Sequence, residues 1–98
     1  MTPRLSLREE ATADTREAFT WYEARATGLG FDFLRALRAT LAAVERAPQQ
    51  FPITLQDIRR ARLRRFPYSV YFVPLGSDLV VLAVMHDRRH PHRWQMRR

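Results

Sequence analysis

The residues of this chain that could do chemistry are mostly arginines, and their surplus over acids lies entirely in its second half. Residues 48–98 contain ten arginines and three acids, whereas residues 1–47 contain seven of each, so the formal charge of +7 belongs to the second half. A guanidinium donates paired hydrogen bonds to phosphates and carboxylates. We therefore expect an anionic partner, either nucleic acid or an acidic protein; the alternative is a merely solubilising surface.

One group of these arginines has the spacing of a strand with a charged face. Arg60, Arg62 and Arg64 alternate with Ala61 and Leu63, which is the two-residue period of a β-strand. We predict that the target-binding residues come from this strand, from the two strands after it and from the C-terminal tail: Arg60, Arg62, Arg64, Arg65, Tyr68, His86, Arg88, Arg89, Arg93 and Trp94. The structural alternative is a solvated sheet edge, which discourages pairing between sheets.

The basic half offers few groups for catalysis or metal binding. Arginine stays protonated and cannot act as a general base. The remaining candidates are three histidines and three aspartates: His86, His90, His92, Asp57, Asp78 and Asp87. The histidine spacing suits no standard metal site, and the neighbouring arginines would repel a cation. We therefore assign no catalytic residue and expect neither a metal nor a cofactor.

Hydrophobic periodicity predicts two helices in the first half. Apolar residues recur at three- and four-residue steps from Glu9 to about Thr27, and again from Phe31 to Ala47. Gly28 would end the first helix as a C-cap, and the short connection predicts an antiparallel hairpin. Tyr22 lies on the apolar stripe of the first helix and is expected in the core, whereas its neighbour Trp21 is expected to be half-exposed.

The remaining segments predict strands. Leu5 and Leu7 indicate a short first strand, and residues 48–58 are interpreted as a loop in which Phe51 and Ile53 contact the core. Strands then follow around the alternating arginines, over 68–73 and over 79–85. The last strand is apolar throughout, as expected of a strand buried on both faces.

The order β-α-α-β-β-β predicts an α+β domain. Three consecutive strands would form a small, mainly antiparallel sheet, the first strand would join it at an edge, and the helical hairpin would cover one face. The other face would be an open basic surface carrying Arg60, Arg62 and Arg64. A length of 98 residues predicts a single domain over 1–98.

The composition also bears on location. The chain has no cysteine, which excludes a disulfide framework. Its first ten residues lack the apolar segment of a secretory signal, and no stretch reaches the ~20 apolar residues that span a bilayer. We expect a cytoplasmic protein without a membrane partner.

Three segments of the chain follow one another in a characteristic order. Trp21-Tyr22-Glu23 and Gly28-Leu29-Gly30 precede Phe51-Pro52. The middle segment is Arg62-x-Arg64-Arg65-Phe66-Pro67-Tyr68-Ser69-Val70-Tyr71, and the last runs from Val80 through His86-Asp87-Arg88-Arg89-His90-Pro91 to Trp94. Together they resemble the ParE-like toxins of the RelE/ParE superfamily over nearly the whole chain, and that family has the β-α-α-β-β-β fold.

The resemblance implies a toxin of a type II toxin–antitoxin pair. Its partner would be a cognate, ParD-like antitoxin whose C-terminal segment wraps the helical hairpin and the sheet, giving a hetero-oligomer. The residues expected to contact the antitoxin are Trp21, Phe19, Leu34 and Arg38.

The resemblance leaves two targets open. ParE-like members poison DNA gyrase and stabilise its cleaved-DNA state, whereas RelE-like members are endoribonucleases that cut mRNA on the ribosome. Several RelE-like nucleases have an arginine where this chain has Ser69, and they use lysines, of which this chain has none. We therefore favour the gyrase poison, which would not itself be an enzyme. The alternatives are the ribosome-dependent nuclease and a plain nucleic-acid-binding module.

Overall fold

Two helices cover one face of a five-stranded sheet in the computed structural model, which describes residues 4–88. The elements are β1 (Leu5–Leu7), α1 (Glu9–Arg25), α2 (Leu29–Arg46), a 3-10 turn (Pro48–Gln50), β2 (Ile53–Leu55), β3 (Ile58–Arg62), β4 (Tyr68–Leu75) and β5 (Asp78–His86). The strand order is β1-β5-β4-β3-β2, with β1 parallel to β5 and every other neighbour antiparallel. The predicted α+β class, the helical hairpin and the edge position of β1 are confirmed.

The prediction of a simple loop over residues 48–58 was wrong. This segment contains the 3-10 turn and the edge strand β2, which pairs with β3 in an irregular register. All three residues of β2 are exposed, and the alternation Ile53-Thr54-Leu55 is shorter than the roughly four to eight residues that predict a strand. Phe51 contacts Phe72 at a ring distance of 6.0 Å, as expected. Ile53, in contrast, is 54% exposed and lies outside the core.

The connection between the helices differs from the predicted C-cap. Helix α1 ends at Arg25, and Gly28 instead precedes α2 with a φ of 90°, which glycine adopts without steric cost. The carboxylate of Glu23 accepts hydrogen bonds from the backbone N–H groups of Gly28 and Gly30, at 2.9 Å each. Glu23 on α1 thus satisfies donors at the start of α2 that have no partner within the helix.

Gly30 sets how closely the two helices approach. A Cβ atom added there would lie 2.8 Å from the backbone oxygen of Phe19 and 2.8 Å from its ring. Because a backbone oxygen cannot rotate away, we expect Gly30→Ala to lower the free energy of unfolding by about 1–2 kcal/mol. Urea denaturation would measure the change. Gly76→Ala is the comparison, because a Cβ atom added at Gly76 would meet no neighbouring atom, and only the positive φ of Gly76 would add a cost. An unchanged midpoint of urea denaturation for Gly30→Ala would contradict the close packing of the helices.

A bulge in β5 changes which face of the sheet its side chains point to, so the strand contributes residues to an apolar cluster on each face. Pairing with β4 shifts by one residue between Tyr71 and Phe72, so Leu82 and Ala83 both face away from the helices. Val81 and Val84 face the helices on either side of the bulge. The backbone N–H of Val84 donates to a carboxylate oxygen of Asp14 on α1 at 3.0 Å, so α1 supplies the acceptor at this edge of β5.

The face of the sheet away from the helices is not the open basic surface that the sequence predicted. It carries a second buried apolar cluster, whose members are each exposed by 8% or less: Ile58, Tyr71, Val73, Val80, Leu82, Ala83 and Met85. Arg60 and Arg62 lie at one end of this face, because β3 pairs them with Tyr71 and Ser69. Arg64 is outside the strand, in the turn between β3 and β4. The long apolar strands β4 and β5 supply residues to both faces, so the arginines are confined to one margin.

Candidate functional site

A polar network joins the end of β3 to the end of β5. The Ser69 hydroxyl on β4 donates to Asp87 at 2.7 Å and accepts from Arg60 Nε at 3.0 Å. Asp87 also accepts from Arg60 at 3.3 Å and from Arg62 at 3.4 Å. Ser69 is fully buried, and the Asp87 side chain is 16% exposed. Two of the arginines predicted to bind a target thus share one carboxylate, and only Arg62 keeps a largely exposed guanidinium.

A groove of about 960 Å³ lies beside this network, between α1 and the adjoining ends of β4 and β5. We call it the aromatic groove. Its principal lining residues are Trp21, Tyr22, Pro67, Tyr68, His86 and Arg88. The rings of Tyr68 and His86 contact edge to face at 5.3 Å, and Arg88 donates its backbone N–H to His86 Nδ1 at 3.1 Å. The groove brings Tyr68, His86 and Arg88, predicted to bind the target, together with Trp21, predicted to bind the antitoxin.

The floor of the aromatic groove rests on a cluster of stacked rings. Tyr22 stacks on Phe33 at 5.5 Å and meets Phe66 and Tyr68 edge to face at 5.0 and 6.0 Å. Trp21 lies at the edge of the cluster, where its ring meets that of Tyr22 edge to face at 5.1 Å. It is 52% exposed, and the guanidinium of Arg25 lies 4.2 Å from its ring centre. The predictions of a core Tyr22 and a half-exposed Trp21 are confirmed.

Burial raises the pKa of the Tyr22 hydroxyl above its ordinary value of about 10. The unfolded chain therefore loses this proton at a lower pH than the folded chain does, and ionisation of Tyr22 favours unfolding. We expect the Tyr22 contribution to stability to be full below pH ~10 and to decline above it. Chemical denaturation of the wild type and of Tyr22→Phe between pH 8 and 11 tests this. The free energy of unfolding of the wild type should fall relative to that of Tyr22→Phe only at the alkaline end. A difference in unfolding free energy that stays constant with pH would contradict the expectation.

A second groove, of about 310 Å³, runs over the helical hairpin near β1. We call it the hairpin groove, and its apolar lining comes from Leu7, Phe19, Phe31 and Leu34. The rings of Phe19 and Phe31 meet edge to face at 5.0 Å, and Phe31 is 53% exposed. The sequence predicted Phe19 and Leu34 as partner contacts but missed Phe31. Its position beside two apolar residues of α2 made it look like part of the core stripe.

A third groove, of about 580 Å³, lies between α2 and the turn that follows β3. We call it the basic groove because its charged lining consists of five arginines and one aspartate: Arg35, Arg46, Arg62, Arg64, Arg65 and Asp32. Arg35 and Arg46 were missed because they belong to the half of the chain that is neutral overall. Their separation of eleven residues, about three helical turns, was the available signal that they share one face of α2.

Some predicted residues lie elsewhere. Arg89, Arg93 and Trp94 are outside the described residues. Arg38 is exposed on α2 and lines none of the three grooves, so its antitoxin contact stays a prediction without support from the grooves. Over residues 4–88 no group of histidines and acids has the arrangement of a metal site. No helix within the same residues is both long and apolar enough to cross a membrane.

The comparisons with known proteins identify the family. A family model described as "ParE toxin of type II toxin-antitoxin system, parDE" matches residues 5–91. This chain belongs to the ParE toxin family. The match extends from β1 past the end of β5, so all three grooves lie within the family domain.

A solved structure supports the same fold. A chain of the structure described as "Chromosomal ParDE TA system from P. aeruginosa" superposes with a TM-score of 0.75 at 18% identity. The superposition covers 87% of this chain and 96% of that chain. At this identity the likeness shows the shared fold alone. No curated protein matches this chain.

Proposed function

We propose that this ParE-family toxin inhibits DNA gyrase by trapping its cleaved-DNA complex and that a cognate, ParD-like antitoxin neutralises it. The observation that carries the proposal is the match of the ParE family model over residues 5–91. The cytoplasm is the compartment in which gyrase and an antitoxin would both be encountered.

The aromatic groove is the proposed gyrase contact. It combines aromatic surface with five charged or polar side chains, and aromatic and arginine side chains are enriched at protein interfaces. The five are Arg16, Glu17, Thr20, His86 and Arg88. Two rings of the groove, those of Tyr22 and Tyr68, pack against Phe33, so packing already orders these side chains before a partner binds. A rigid surface loses little side-chain entropy on binding.

Supercoiling of relaxed plasmid by purified gyrase tests the proposal, together with detergent trapping of cleaved DNA. We expect loss of supercoiled product and accumulation of linear DNA with the wild type, and at least a tenfold higher toxin concentration for the same effect with His86→Gln/Arg88→Gln. Arg4→Gln is the control, because Arg4 is exposed at the far margin of the sheet. This substitution lowers the net charge of the protein by the same amount as His86→Gln/Arg88→Gln. Normal supercoiling at a large excess of wild-type toxin would discard gyrase as the target.

Ribosome-dependent mRNA cleavage is the second candidate. One observation favours it: the His86 imidazole lies in the aromatic groove, in contact with the Tyr68 ring and hydrogen-bonded through Nδ1 to the backbone N–H of Arg88. Against it, Ser69 is buried and bonded to both Arg60 and Asp87, so this position cannot contact a scissile phosphate. Discrete cuts in mRNA on translating ribosomes, lost with His86→Gln, would establish the nuclease. Intact transcripts at saturating toxin would exclude it.

We propose that the antitoxin occupies the hairpin groove and extends to Trp21. Phe31 and Trp21 are each more than half exposed, and large apolar side chains of this kind are typical anchors of a protein interface. An amphipathic antitoxin segment would bury them and direct acidic residues toward the arginines.

Titration calorimetry with the antitoxin tests this surface. We expect Phe31→Ala to weaken binding about 10- to 100-fold, the range of an interface anchor worth about 1–3 kcal/mol. Leu75→Ala is the control, since Leu75 is 65% exposed but lies in the β4–β5 hairpin. Equal affinities for the wild type and Phe31→Ala would move the antitoxin away from this groove.

A further inference from the structure

We propose that the basic groove binds the sugar–phosphate backbone of duplex DNA. The inference deepens the proposed function and rests on it for its biological role, because a toxin that holds gyrase on cleaved DNA works within reach of that DNA. The binding itself depends only on the groove and is measurable without gyrase.

The groove holds a surplus of positive charge that the described residues do not neutralise. Its single acid, Asp32, pairs with Arg35, and Arg62 is bonded to Asp87 outside the groove. Among residues 4–88, no ion pair engages Arg46, Arg64 or Arg65. All three are exposed. Guanidiniums in this state are suited to phosphate, which they bind through two parallel hydrogen bonds.

The shape of the groove fits an extended polyanion. Between Arg35 and Arg46 the wall formed by α2 presents Ala36, Ala39 and Ala43, whose small side chains leave room for a backbone to approach. Eleven residues of helix span about 16 Å, which is the axial length of about five base pairs. The turn after β3 supplies the opposite wall with its arginines. A ligand in the groove would therefore meet guanidiniums from both sides.

Hydrogen bonds at one end and a tight turn at one wall define the shape of the basic groove. Arg59 donates to the backbone oxygens of Gln49 and Phe51 at 3.3 and 2.6 Å, which fixes the segment that closes one end. Arg65 has a φ of 69°, in the left-handed region that glycine occupies at less cost. This conformation belongs to the turn that carries Arg64 and Arg65 in one wall of the groove.

The composition favours DNA over an acidic protein. Within residues 4–88, the large exposed hydrophobic side chains all lie outside the basic groove: Trp21, Phe31, Ile53, Leu55 and Leu75. Protein interfaces use such side chains as anchors. Interfaces with DNA are more polar and much more positively charged. Among residues 4–88, the basic groove thus gathers arginines without an exposed large hydrophobic side chain, a composition suited to a phosphate backbone.

Fluorescence anisotropy with a labelled 30-base-pair duplex of mixed sequence tests the proposal on the full chain. We expect Arg46→Gln/Arg64→Gln to lower the salt slope of log affinity by about two, because each lost phosphate contact removes about 0.9. Affinity at 0.1 M salt should fall about eightfold per arginine on the same basis. Arg4→Gln/Arg38→Gln is the control: it removes the same charge from exposed positions outside the groove, and circular dichroism checks that both variants fold.

Each outcome decides the proposal. A loss confined to the groove variant supports it. Equal losses in both double variants, or no binding of the wild type to DNA at 0.05 M salt, would overturn it. Tighter binding of a single-stranded RNA of equal length, or of a poly-glutamate peptide, would overturn the choice of duplex DNA. The supercoiling assay separates this failure from that of the proposed function. If the groove variant binds DNA as tightly as the wild type and still poisons gyrase, the basic groove is refuted and the gyrase proposal stands. If DNA binding depends on the groove but the wild type leaves supercoiling normal, gyrase is refuted and the groove stands.

Discussion

Phe33→Ala is expected to lower the free energy of unfolding by about 3–5 kcal/mol, the usual cost of removing a buried phenyl ring. Phe33 is fully buried and its ring contacts those of Tyr22, Phe66 and Tyr68 at 5.1 to 5.5 Å. These rings belong to α1, β4 and the turn before it, so no single neighbour can move to fill the cavity. Because a domain of this size is stabilised by about 5–15 kcal/mol in total, the loss would be a large share of it.

The matched control for Phe33→Ala is Phe31→Ala, the same change two residues earlier on the same helix. Phe31 is 53% exposed, and we expect its replacement to cost less than about 1 kcal/mol. Chemical denaturation of both variants measures the difference. Similar costs for the two would contradict the burial of Phe33. The pair also separates stability from partner binding, since Phe31→Ala is expected to weaken the antitoxin contact while Phe33→Ala acts through the fold.

Asp87→Ala is expected to lower the free energy of unfolding by about 2–3 kcal/mol, because it leaves a buried hydroxyl and a half-buried guanidinium without their acceptor. Asp87 accepts from Ser69, Arg60 and Arg62, and it joins the end of β5 to β4 and β3. Asp78→Ala is the control, since Asp78 is exposed and accepts from one backbone N–H, that of Arg4, at 3.1 Å. We expect that change to cost less than about 1 kcal/mol.

A double-mutant cycle tests the network behind the Asp87 prediction. If Ser69 and Asp87 act through one another, Ser69→Ala should cost about 1 kcal/mol less in the Asp87→Ala background than in the wild type. Additive costs would show that the two side chains contribute independently. The same cycle bears on the aromatic groove, because Asp87 lies between His86 and Arg88 in the chain and its bonds hold that segment against the sheet.

The three grooves divide the surface by the chemistry of their partners. The hairpin groove is mainly apolar, the aromatic groove combines rings with charged and polar side chains, and the basic groove carries arginines without exposed large hydrophobic side chains. Under the proposed function, an antitoxin in the first groove that reaches Trp21 would block the second directly, while the third could remain open to DNA. Neutralisation would then occur without displacement of DNA from the toxin.

The elements of this fold were determined by the sequence because they depend on local periodicity. The spacing of apolar residues predicts helices α1 and α2, the edge strand β1 and the core position of Tyr22, and apolar runs predict strands β4 and β5. Strand β2 was missed because its alternation, Ile53-Thr54-Leu55, is only three residues long, and pairing with β3 is what makes the segment a strand.

Only the tertiary structure decided which arginines are free. Sequence spacing treated Arg60, Arg62 and Arg64 as one row, but Arg60 and Arg62 share Asp87, 27 and 25 residues away in the chain. Three guanidiniums without an ion pair among residues 4–88 instead line one groove from α2 and from the turn after β3: Arg46, Arg64 and Arg65. A charge pattern along the chain reports how many cations are present. Which of them are neutralised depends on contacts between residues distant in sequence, and those contacts exist only once the sheet and the helices have packed.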